Sequence, residues 1–590
     1  MSTQASSDVP RRVATAASLV MVGNLASRVL GLVRDQTIAA LFGASAHASI
    51  FGVISRVSTM VYDLLIGGAL TAALVPVFSE YARDDTTGPA LPGKEATDGG
   101  NRPDERRDRL AGALGATVGA ALLVLIPVVG LLIVAAPQIM AFMGEGFAPE
   151  MQDLGMRLVR LAMPSVAMLG IASVLMAAHY ARERFVRPSF ATALYNVGII
   201  GGALLLTPFF GLGGLVLGLL AGAALQCAAQ SPALRGVRWR ALTNFRHPAL
   251  RRIVRLYAPV AGGLVVSAGV TSLDTRLASQ TGAGSIAAMR YATTLVQLPL
   301  GLVATALSFA TLPVLSKQAA AVVAWQRAGK PEGLPAGASE QPPDLAAYRA
   351  TLALTLRLAL LCIAPLTVAL LVLHQPVVRL LFERGAFTAD STDITALALL
   401  FYAPQLPFVA IDQVLIAAFY ALQNTRTPVL VGVVTAGLYV VVALALVDEW
   451  GMPALVFANT VQNSAHGIIL AALLWRVVDG MVPGVQRPAS QGPGRLWHAV
   501  RDAGLSRAAL RVGVAAAAMA GVLLALDRAV LTPAAGLPVP VWGLLLVGAG
   551  VVGMSVYAGA LWLLGAEDVR QVAAIGRRAW RRLSGGNGPQ

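Results

Sequence analysis

A small set of ionisable side chains lies inside segments of the sequence that are otherwise apolar. Arginine has a planar guanidinium that suits phosphate and carboxylate oxygens, and aspartate can bind a cation or neutralise an arginine. Because such groups are costly away from water, their presence indicates a ligand site or mutual pairing. The set comprises five arginines and four aspartates: Arg28, Arg34, Asp35, Arg56, Asp63, Asp274, Arg276, Arg290 and Asp412.

The first of these segments contains two arginines and one aspartate. Residues 24–45 read NLASRVLGLVRDQTIAALFGAS, with Arg28, Arg34 and Asp35 near the middle. Because one carboxylate cannot neutralise two guanidiniums, an anionic ligand is the natural partner. Gly31 lies between the arginines and could let a helix bend or unwind, so that both side chains point into one cavity.

Helical spacing places several charges on shared faces. Arg28 and Asp35 share one face of a helix, as do Arg56 and Asp63. A further polar face with the spacing i, i+4, i+7 consists of Arg290, Thr294 and Gln297. The alternative to a ligand site is that arginines and aspartates only pair with each other and lock helices together. We therefore predict an ion-binding or structural pairing role for three aspartates: Asp63, Asp274 and Asp412.

The composition identifies the medium around these charges. Hydrophobic residues make up 56% of the 590 residues, charged residues only 13%, and the mean hydropathy is +0.69. Residues 110–144 contain no charge, which exceeds the roughly 20 residues that a helix needs to cross the hydrocarbon core. The sequence therefore predicts an all-α integral membrane protein.

The apolar segments and the loops between them predict a topology of about fourteen spans. Basic residues collect in alternate loops such as 83–109 and 235–255, which places both termini in the cytoplasm and 374–387 outside. This placement also explains the net charge of +15, so we predict no nucleic-acid partner. Loops 83–109, 318–346 and 478–505 have the composition of flexible connectors. The predicted spans are 13–41, 48–82, 110–136, 156–181, 189–208, 211–230, 254–279, 285–316, 348–373, 388–422, 427–447, 452–476, 508–527 and 540–565.

Motifs of enzymes and of metal sites do not occur. The sequence has no H-E-x-x-H, G-x-x-x-x-G-K-[ST] or G-x-S-x-G pattern, and its two cysteines, Cys227 and Cys362, lie far apart in apolar segments. The histidines are scattered over different loops and segments. We therefore predict a protein that is not an enzyme and that needs no cofactor and no metal.

An internal repeat predicts two related halves. Residues 69–79 read ALTAALVPVFS and residues 306–316 read ALSFATLPVLS, with Pro76 and Pro313 at matching positions. Two such halves can enclose a central cavity that opens to each side in turn, as in secondary transporters. We predict two six-helix lobes around a central cavity and a C-terminal helix pair. The predicted domains are 1–234, 235–476 and 477–590.

Four stretches of the sequence resemble one family of transporters. They read SRVLGLVRDQTIAALFGAS from Ser27, ALVPVFSEYA from Ala73, LFERGAFTADST from Leu381 and FYALQNTRTPVLVG from Phe419. Together they resemble the MurJ/MviN lipid II flippases of the multidrug/oligosaccharidyl-lipid/polysaccharide transporter superfamily. The stretches are spread over much of the chain, so the combination is more specific than any one of them.

The resemblance implies a function and a site. It implies that lipid II, the lipid-linked precursor of peptidoglycan, crosses the bacterial cytoplasmic membrane through a cationic cavity. Arg28 and Arg34 match the family's first-helix arginines, with Asp35 next to them, and would hold the pyrophosphate. The last two helices would form a groove for the polyprenyl tail. Membrane lipids and cell-wall synthesis proteins are the further partners expected of such a flippase.

The sequence also departs from the family pattern. The family has an arginine near Tyr62 and Asp63, a glutamate at the position of Gly67 and an arginine at the position of Thr294. Arg290 lies one turn before Thr294, so we predict that Arg290 completes the anion site with Arg28, Arg34 and Arg56. The rival hypothesis is that Arg290 lies near the outer membrane interface and reaches for lipid phosphates.

Three alternatives remain open from the sequence. A cation-coupled exporter of small molecules would use Asp35, Asp63 and Asp274 as ion sites. A diverged flippase would move another polyprenyl-linked sugar, since the missing arginines lower the charge of the expected cavity. A membrane scaffold without transport activity would need the buried charges only for stability.

Overall fold

A computed structural model describes residues 4–65, 68–82, 102–328, 345–480 and 504–565. Within these ranges all regular structure is helical and no strand occurs, which confirms the predicted all-α class. Gly67, most of the predicted connectors 83–109, 318–346 and 478–505, and the C-terminal tail lie outside the described residues. The described ends of the connectors belong to long helices.

The chain divides into two compact units. Unit 1 is Met1–Arg290 with Arg384–Ser391, and unit 2 is Tyr291–Glu383 with Thr392–Gln590. The helices of unit 1 are α1 (Gln4–Phe42), α2 (Ala46–Leu65), α3 (Gly68–Ala82), α4 (Arg102–Val134), α5 (Ala136–Met143), α6 (Pro149–Ala162), α7 (Pro164–Ala181), α8 (Val186–Leu205), α9 (Thr207–Phe210), α10 (Leu212–Gln230), α11 (Trp239–Leu242), α12 (Pro248–Gln280) and the start of α13 (Ser285–Ala328).

Unit 2 begins inside α13. Its further helices are α14 (Leu345–Val372), α15 (His374–Phe382), α16 (Ala389–Tyr402), α17 (Leu406–Ala421), α18 (Arg426–Trp450), α19 (Met452–Gly480), α20 (Leu505–Leu526) and α21 (Val539–Leu563). The two last helices pack on α14, where the Tyr557 hydroxyl donates to the Leu361 carbonyl at 2.9 Å. The predicted domains 1–234, 235–476 and 477–590 stay a prediction.

The helices identify a multi-pass membrane protein. Ten segments of the described chain are long and apolar enough to cross a membrane, and α12 adds an eleventh if it counts as one bent span. Exposed leucines on these helices, such as Leu204, Leu544 and Leu563, suit a surface that contacts lipid. The three other predicted segments, 13–41, 48–82 and 285–316, are helical wherever the structure describes them, and they contain charged residues. The predicted number of about fourteen spans stays a prediction.

Prolines divide two of the predicted spans into shorter helices. The segment 156–181 consists of α6 and α7, which meet at Met163 and Pro164. The segment 388–422 consists of α16 and α17, joined by a 3₁₀ turn over Ala403–Gln405. Proline lacks an amide hydrogen and therefore favours the first turn of a new helix.

Glycines bring α8 and α10 into backbone contact. A Cβ atom on Gly198 would lie 2.2 Å from the Cα of Gly222, and one on Gly202 would lie 2.2 Å from the Cα of Gly218. Small residues spaced by four let two helices in a membrane approach closely. This close packing fixes the position of α8, which carries two side chains of the site described below.

Residues 384–391, part of the LFERGAFTADST stretch, pack on the end of α1. The Ala386 amide donates to the Ala40 carbonyl at 2.8 Å. Gly43 and Gly385 have φ angles of +63° and +62°, and a Cβ on Gly385 would lie 2.3 Å from the Ala40 oxygen. Only glycine fits this combination of left-handed backbone and close approach, so this motif has a structural role at the end of the arginine-bearing helix.

Candidate functional site

Asp35 is the centre of a charged cluster in unit 1. Its side chain is fully buried, and two guanidiniums contact it. Arg34 donates to both carboxylate oxygens at 3.0 and 3.1 Å, and Arg290 donates to Oδ1 at 2.7 Å. The cluster therefore joins α1 to the first turns of α13. Arg290 is directed toward this carboxylate and is only 17% exposed, which argues against the hypothesis of an arginine that reaches for lipid phosphates.

Helices α8 and α2 complete the surroundings of the two arginines. Asn196 accepts a hydrogen bond from Arg34 at 3.0 Å and donates one to the Ser27 carbonyl at 3.1 Å. Tyr195 is close enough to Arg34 and Arg290 to interact with their charges. The Arg290 guanidinium lies 5.0 Å from the centre of the Phe51 ring, a cation–π contact. Hydrogen bonds and stacking thus fix both guanidiniums in position.

The two α8 residues, Asn196 and Tyr195, do not stand out in the sequence as members of a site. Asn196 was detectable in principle, because it is an amide side chain within the apolar segment 189–208. Its role as a partner of Arg34 was not detectable, because 162 residues separate the two in the chain. Tyr195 carries no such signal, since aromatic residues are common in apolar helices.

The cluster of Arg34, Arg290 and Asp35 has an excess of one positive charge. Arg28 lies on α1, about 9 Å nearer the N-terminus of the helix than Arg34 at a rise of about 1.5 Å per residue. Its side chain is half-buried. Helix α1 runs without interruption through Gly31, so the suggested unwinding does not occur. Gly31 instead lies beside α8, where its Cβ position is 3.9 Å from the Asn196 amide nitrogen.

A second ion pair in unit 1 joins α2 to α12. Arg56 donates to Asp274 at 2.5 Å and to the Thr275 hydroxyl at 3.3 Å. Asp63, which shares a helix face with Arg56, is exposed. Arg276 pairs with Glu145 at 2.6 Å. Tertiary packing therefore brings Arg56 and Asp274 together across 218 residues.

Unit 2 holds the remaining predicted aspartate. Asp412 on α17 contacts the Nδ1 atom of His466 on α19 at 2.7 Å, and both side chains are 15% exposed. Nearby on the same two helical segments, the Asn463 amide donates to Gln405 and Asn459. Thr294 and Gln297, the rest of the predicted polar stripe, lie on α13 in unit 2, after Arg290.

Metal-binding side chains do not cluster in the described part of the chain. No group of three or more histidine, cysteine, aspartate or glutamate residues there could hold a metal ion. Cys227 and Cys362 are free thiols and are half-buried. The arrangement of the described charges suits an anionic ligand held by arginines.

Sequence comparisons identify relatives over most of this chain. A family model described as "Lipid II flippase MurJ" matches residues 38–527. The lipid II flippase MurJ of Burkholderia cenocepacia is 27% identical over 69% of this chain and 73% of its own. The probable lipid II flippase MurJ of Rhizobium meliloti is 26% identical over 93% of each chain. The matched range of the family model begins just after Arg28, Arg34 and Asp35.

Solved structures show the same fold. A structure described as lipid II flippase MurJ in an inward closed conformation superposes with a TM-score of 0.67 at 20% identity, covering 92% of this chain and 99% of that chain. An inward-facing multidrug resistance transporter of the MATE family in the MOP superfamily has a TM-score of 0.59 at 12% identity, covering 77% and 95%. Since the family model spans most of the sequence, this chain belongs to the family of the lipid II flippase MurJ.

Proposed function

We propose that this protein moves lipid II from the inner to the outer leaflet of the bacterial cytoplasmic membrane by alternating access. Membership of the MurJ family supports the proposal, as do relatives that are named lipid II flippases. The ten or eleven apolar helices that could cross a membrane are consistent with it. Transport of this kind breaks no covalent bond in its cargo, so we propose no enzymatic activity and no cofactor.

One observation carries the assignment of the site: two arginines share one fully buried carboxylate in the apolar helices of unit 1. Asp35 holds both guanidiniums in place but offsets only one of their charges. The remaining charge and the planar donors of Arg34 and Arg290 suit the pyrophosphate of a lipid-linked precursor. Arg28 and Arg56 are the further arginines that we assign to the substrate.

We retain an ion-binding or structural pairing role for the two other predicted aspartates of unit 1, Asp63 and Asp274. Asp274 contacts Arg56, and Asp63 is exposed on α2. An exporter coupled to a cation through Asp35, Asp63 and Asp274 would need carboxylates that are open to the ion. Because arginines contact two of these three, the observed pairing favours an anionic cargo. A flippase for another polyprenyl-linked sugar would use the same arginines, since the pyrophosphate is common to such cargoes.

The topology in this proposal follows the distribution of basic loops. Both termini and the loop 83–109 lie in the cytoplasm, and residues 374–387 lie outside. Membrane lipids surround the helices, and cell-wall synthesis proteins are the expected partners that supply or receive the precursor. Single cysteines labelled with an impermeant reagent in intact cells test this topology. Labelling of the loop 83–109 from outside would contradict it.

The function is tested by rescue of a bacterium depleted of its own lipid II flippase. We expect the wild-type chain to restore growth and the Arg34→Ala variant to fail at equal membrane expression. Absence of rescue by a well-expressed wild-type chain would contradict lipid II as the cargo. Accumulation of another polyprenyl-linked sugar after deletion of the natural gene would identify the alternative cargo.

The site is tested by the binding of lipid II to purified protein. A hydrogen bond to a charged group contributes about 1.5 to 3 kcal/mol, so Arg28→Ala, Arg34→Ala and Arg290→Ala should each weaken binding by about ten-fold or more. Arg252→Ala is the matched control, because Arg252 is a largely exposed arginine of unit 1. If Arg290→Ala binds lipid II like the wild type while Arg28→Ala does not, α1 alone holds the pyrophosphate.

A further inference from the structure

Asp412 and His466 of unit 2 form a titratable pair inside apolar helices. Asp412 lies on α17 and His466 on α19, and the distance from Asp412 Oδ1 to His466 Nδ1 is 2.7 Å. The other ring nitrogen, Nε2, lies 3.3 Å from the carbonyl oxygen of Pro428 on α18. One imidazole therefore links three helices of unit 2.

The contacts on both ring nitrogens determine how many protons the pair holds. A carbonyl oxygen only accepts hydrogen bonds, so Nε2 must carry a hydrogen to bond Pro428. A neutral imidazole with its hydrogen on Nε2 has a lone pair on Nδ1, and that lone pair would face the lone pairs of an ionised Asp412. The opposite tautomer satisfies Asp412 but places a lone pair of Nε2 against the Pro428 oxygen.

One additional proton satisfies both contacts at once. It sits between Nδ1 and Oδ1, either as an imidazolium that donates to a carboxylate or as a carboxylic acid that donates to a neutral imidazole. We infer that Asp412 and His466 form a proton-binding site of unit 2, that the site is loaded in this conformation, and that release of the proton drives a rearrangement of α17, α18 and α19. This coupling to transport rests on the proposed function, whereas the proton site itself does not.

Close packing around the pair makes the loss of the proton consequential. A Cβ on Gly467 would lie 3.0 Å from the Phe408 carbonyl oxygen, so α19 and α17 are already in backbone contact at this level. Without the additional proton, one of the two ring contacts fails: lone pairs face each other either between Nδ1 and the carboxylate at 2.7 Å or between Nε2 and the Pro428 oxygen at 3.3 Å. The imidazole then no longer links all three helices, so α17 or α18 moves relative to α19. Both side chains remain 15% exposed, so the proton is not sealed inside the protein.

Asp412 is the charged group that acts directly on His466. It is the only acidic or basic side chain of α17, and the other charged residues of α18 and α19 lie toward the ends of those helices, whereas Arg349 of α14 donates to the Val478 carbonyl. Tyr348 of α14 donates to the Ala418 carbonyl. Besides His466, the charged residues of α14, α18 and α19 are Arg349, Arg357, Arg426, Asp448, Glu449, Arg476 and Asp479.

The proton site is tested without any lipid substrate. Nuclear magnetic resonance of the full-length protein, labelled with ¹⁵N-histidine in micelles, reports the protonation of each ring nitrogen between about pH 5 and 8. We expect the signal that is absent in His466→Gln to show, at the acidic end, a hydrogen on Nε2 and a second hydrogen on Nδ1 or shared between Nδ1 and Asp412, and to be altered in Asp412→Asn. His179→Gln is the matched control, because His179 is a buried histidine whose Nε2 lies near a carbonyl, that of Gln230. A His466 ring with its single hydrogen on Nδ1 throughout this range overturns the inference, because the pair then holds no additional proton.

The coupling is tested in vesicles that contain lipid II and the purified protein. We expect the wild-type rate of lipid II movement to change by about five-fold or more across that pH range and the rate of Asp412→Asn to stay within about two-fold. Equal pH profiles for the wild type and Asp412→Asn overturn the coupling. A proton site seen by resonance in a protein that moves no lipid II contradicts the proposed function and leaves the proton site standing.

Discussion

The two units each place a carboxylate within apolar helices but give it different partners. In unit 1, Asp35 is fully buried and contacts Arg34 and Arg290. In unit 2, Asp412 is 15% exposed and contacts His466. Arginine stays protonated at any physiological pH, whereas histidine exchanges its proton in that range. The Asp35 cluster is therefore a permanent positive site, and the Asp412 pair is a site whose charge can change.

This contrast indicates that the charged sites of the two units have different roles. A site for a charged cargo benefits from charge that does not vary, because its affinity then does not depend on pH. A site that triggers movement must change its charge, because an unchanging contact favours one arrangement of helices at all times. The residue that contacts each aspartate, arginine in unit 1 and histidine in unit 2, is therefore enough to distinguish a cargo site from a site that triggers movement.

The largest effect is expected for Asp35→Asn. This change leaves Arg34 and Arg290 side by side without the carboxylate between them, and removal of one partner of a buried ion pair costs about 3 to 5 kcal/mol. Thermal unfolding in detergent measures the loss. Asp35→Asn combined with Arg290→Gln should recover part of the stability, because only one guanidinium then lacks its carboxylate. If Asp35→Asn unfolds like the wild type, the cluster is not a structural link between α1 and α13.

A smaller effect is expected for Asp412→Asn. The asparagine keeps the size of the side chain and can still bond His466, so the loss is limited to a hydrogen bond between charged groups, about 1.5 to 3 kcal/mol. The loss of folding stability should be greatest at acidic pH, where the wild-type pair holds its proton, and should become smaller as the pH rises. A loss that is the same at every pH would remove the distinction between the two carboxylates.

Alanine substitutions of glycines beside the Asp35 cluster and the Asp412 pair should affect stability to different extents. A Cβ on Gly222 would lie 2.4 Å from the carbonyl oxygen of Tyr195, whereas one on Gly432 would lie 3.7 Å from His466 Nε2, an ordinary contact. Gly222→Ala should therefore destabilise the protein by about 1 to 3 kcal/mol, and Gly432→Ala should be tolerated. Gly201→Ala is the control on α8, since nothing lies within 4 Å of its Cβ position. Equal unfolding temperatures for Gly222→Ala and Gly201→Ala would show that α8 can shift freely.

The smallest effect is expected for an ion pair at the protein surface. Arg252 and Glu80 lie 2.5 Å apart, but their side chains are 56% and 45% exposed. Exposed pairs contribute about 0 to 1 kcal/mol and weaken in salt, so Arg252→Ala should hardly change the unfolding temperature. A loss comparable to that of Asp35→Asn would mean that burial does not decide the strength of these pairs.

Part of the site was predictable because charges are conspicuous in apolar segments. Arg34, Asp35 and Arg290 stood out as ionisable residues at membrane depth, and the structure brings them together. Their partners Asn196 and Tyr195 did not stand out, because amides and aromatic residues are less costly in apolar helices. His466 was one of several scattered histidines until the structure placed it against Asp412.

The sequence by itself determined the class of the protein and the residues that matter most. Long apolar segments require helices in a membrane, since only a helix satisfies the backbone within one segment, and each isolated charge within them requires a partner or a ligand. Only the tertiary structure decided which partner that is. Asp35 meets Arg290 across 255 residues, and Asp412 meets His466 across 54. Spacing along one helix fixes the face on which a charge lies, but the packing of the helices decides which faces meet.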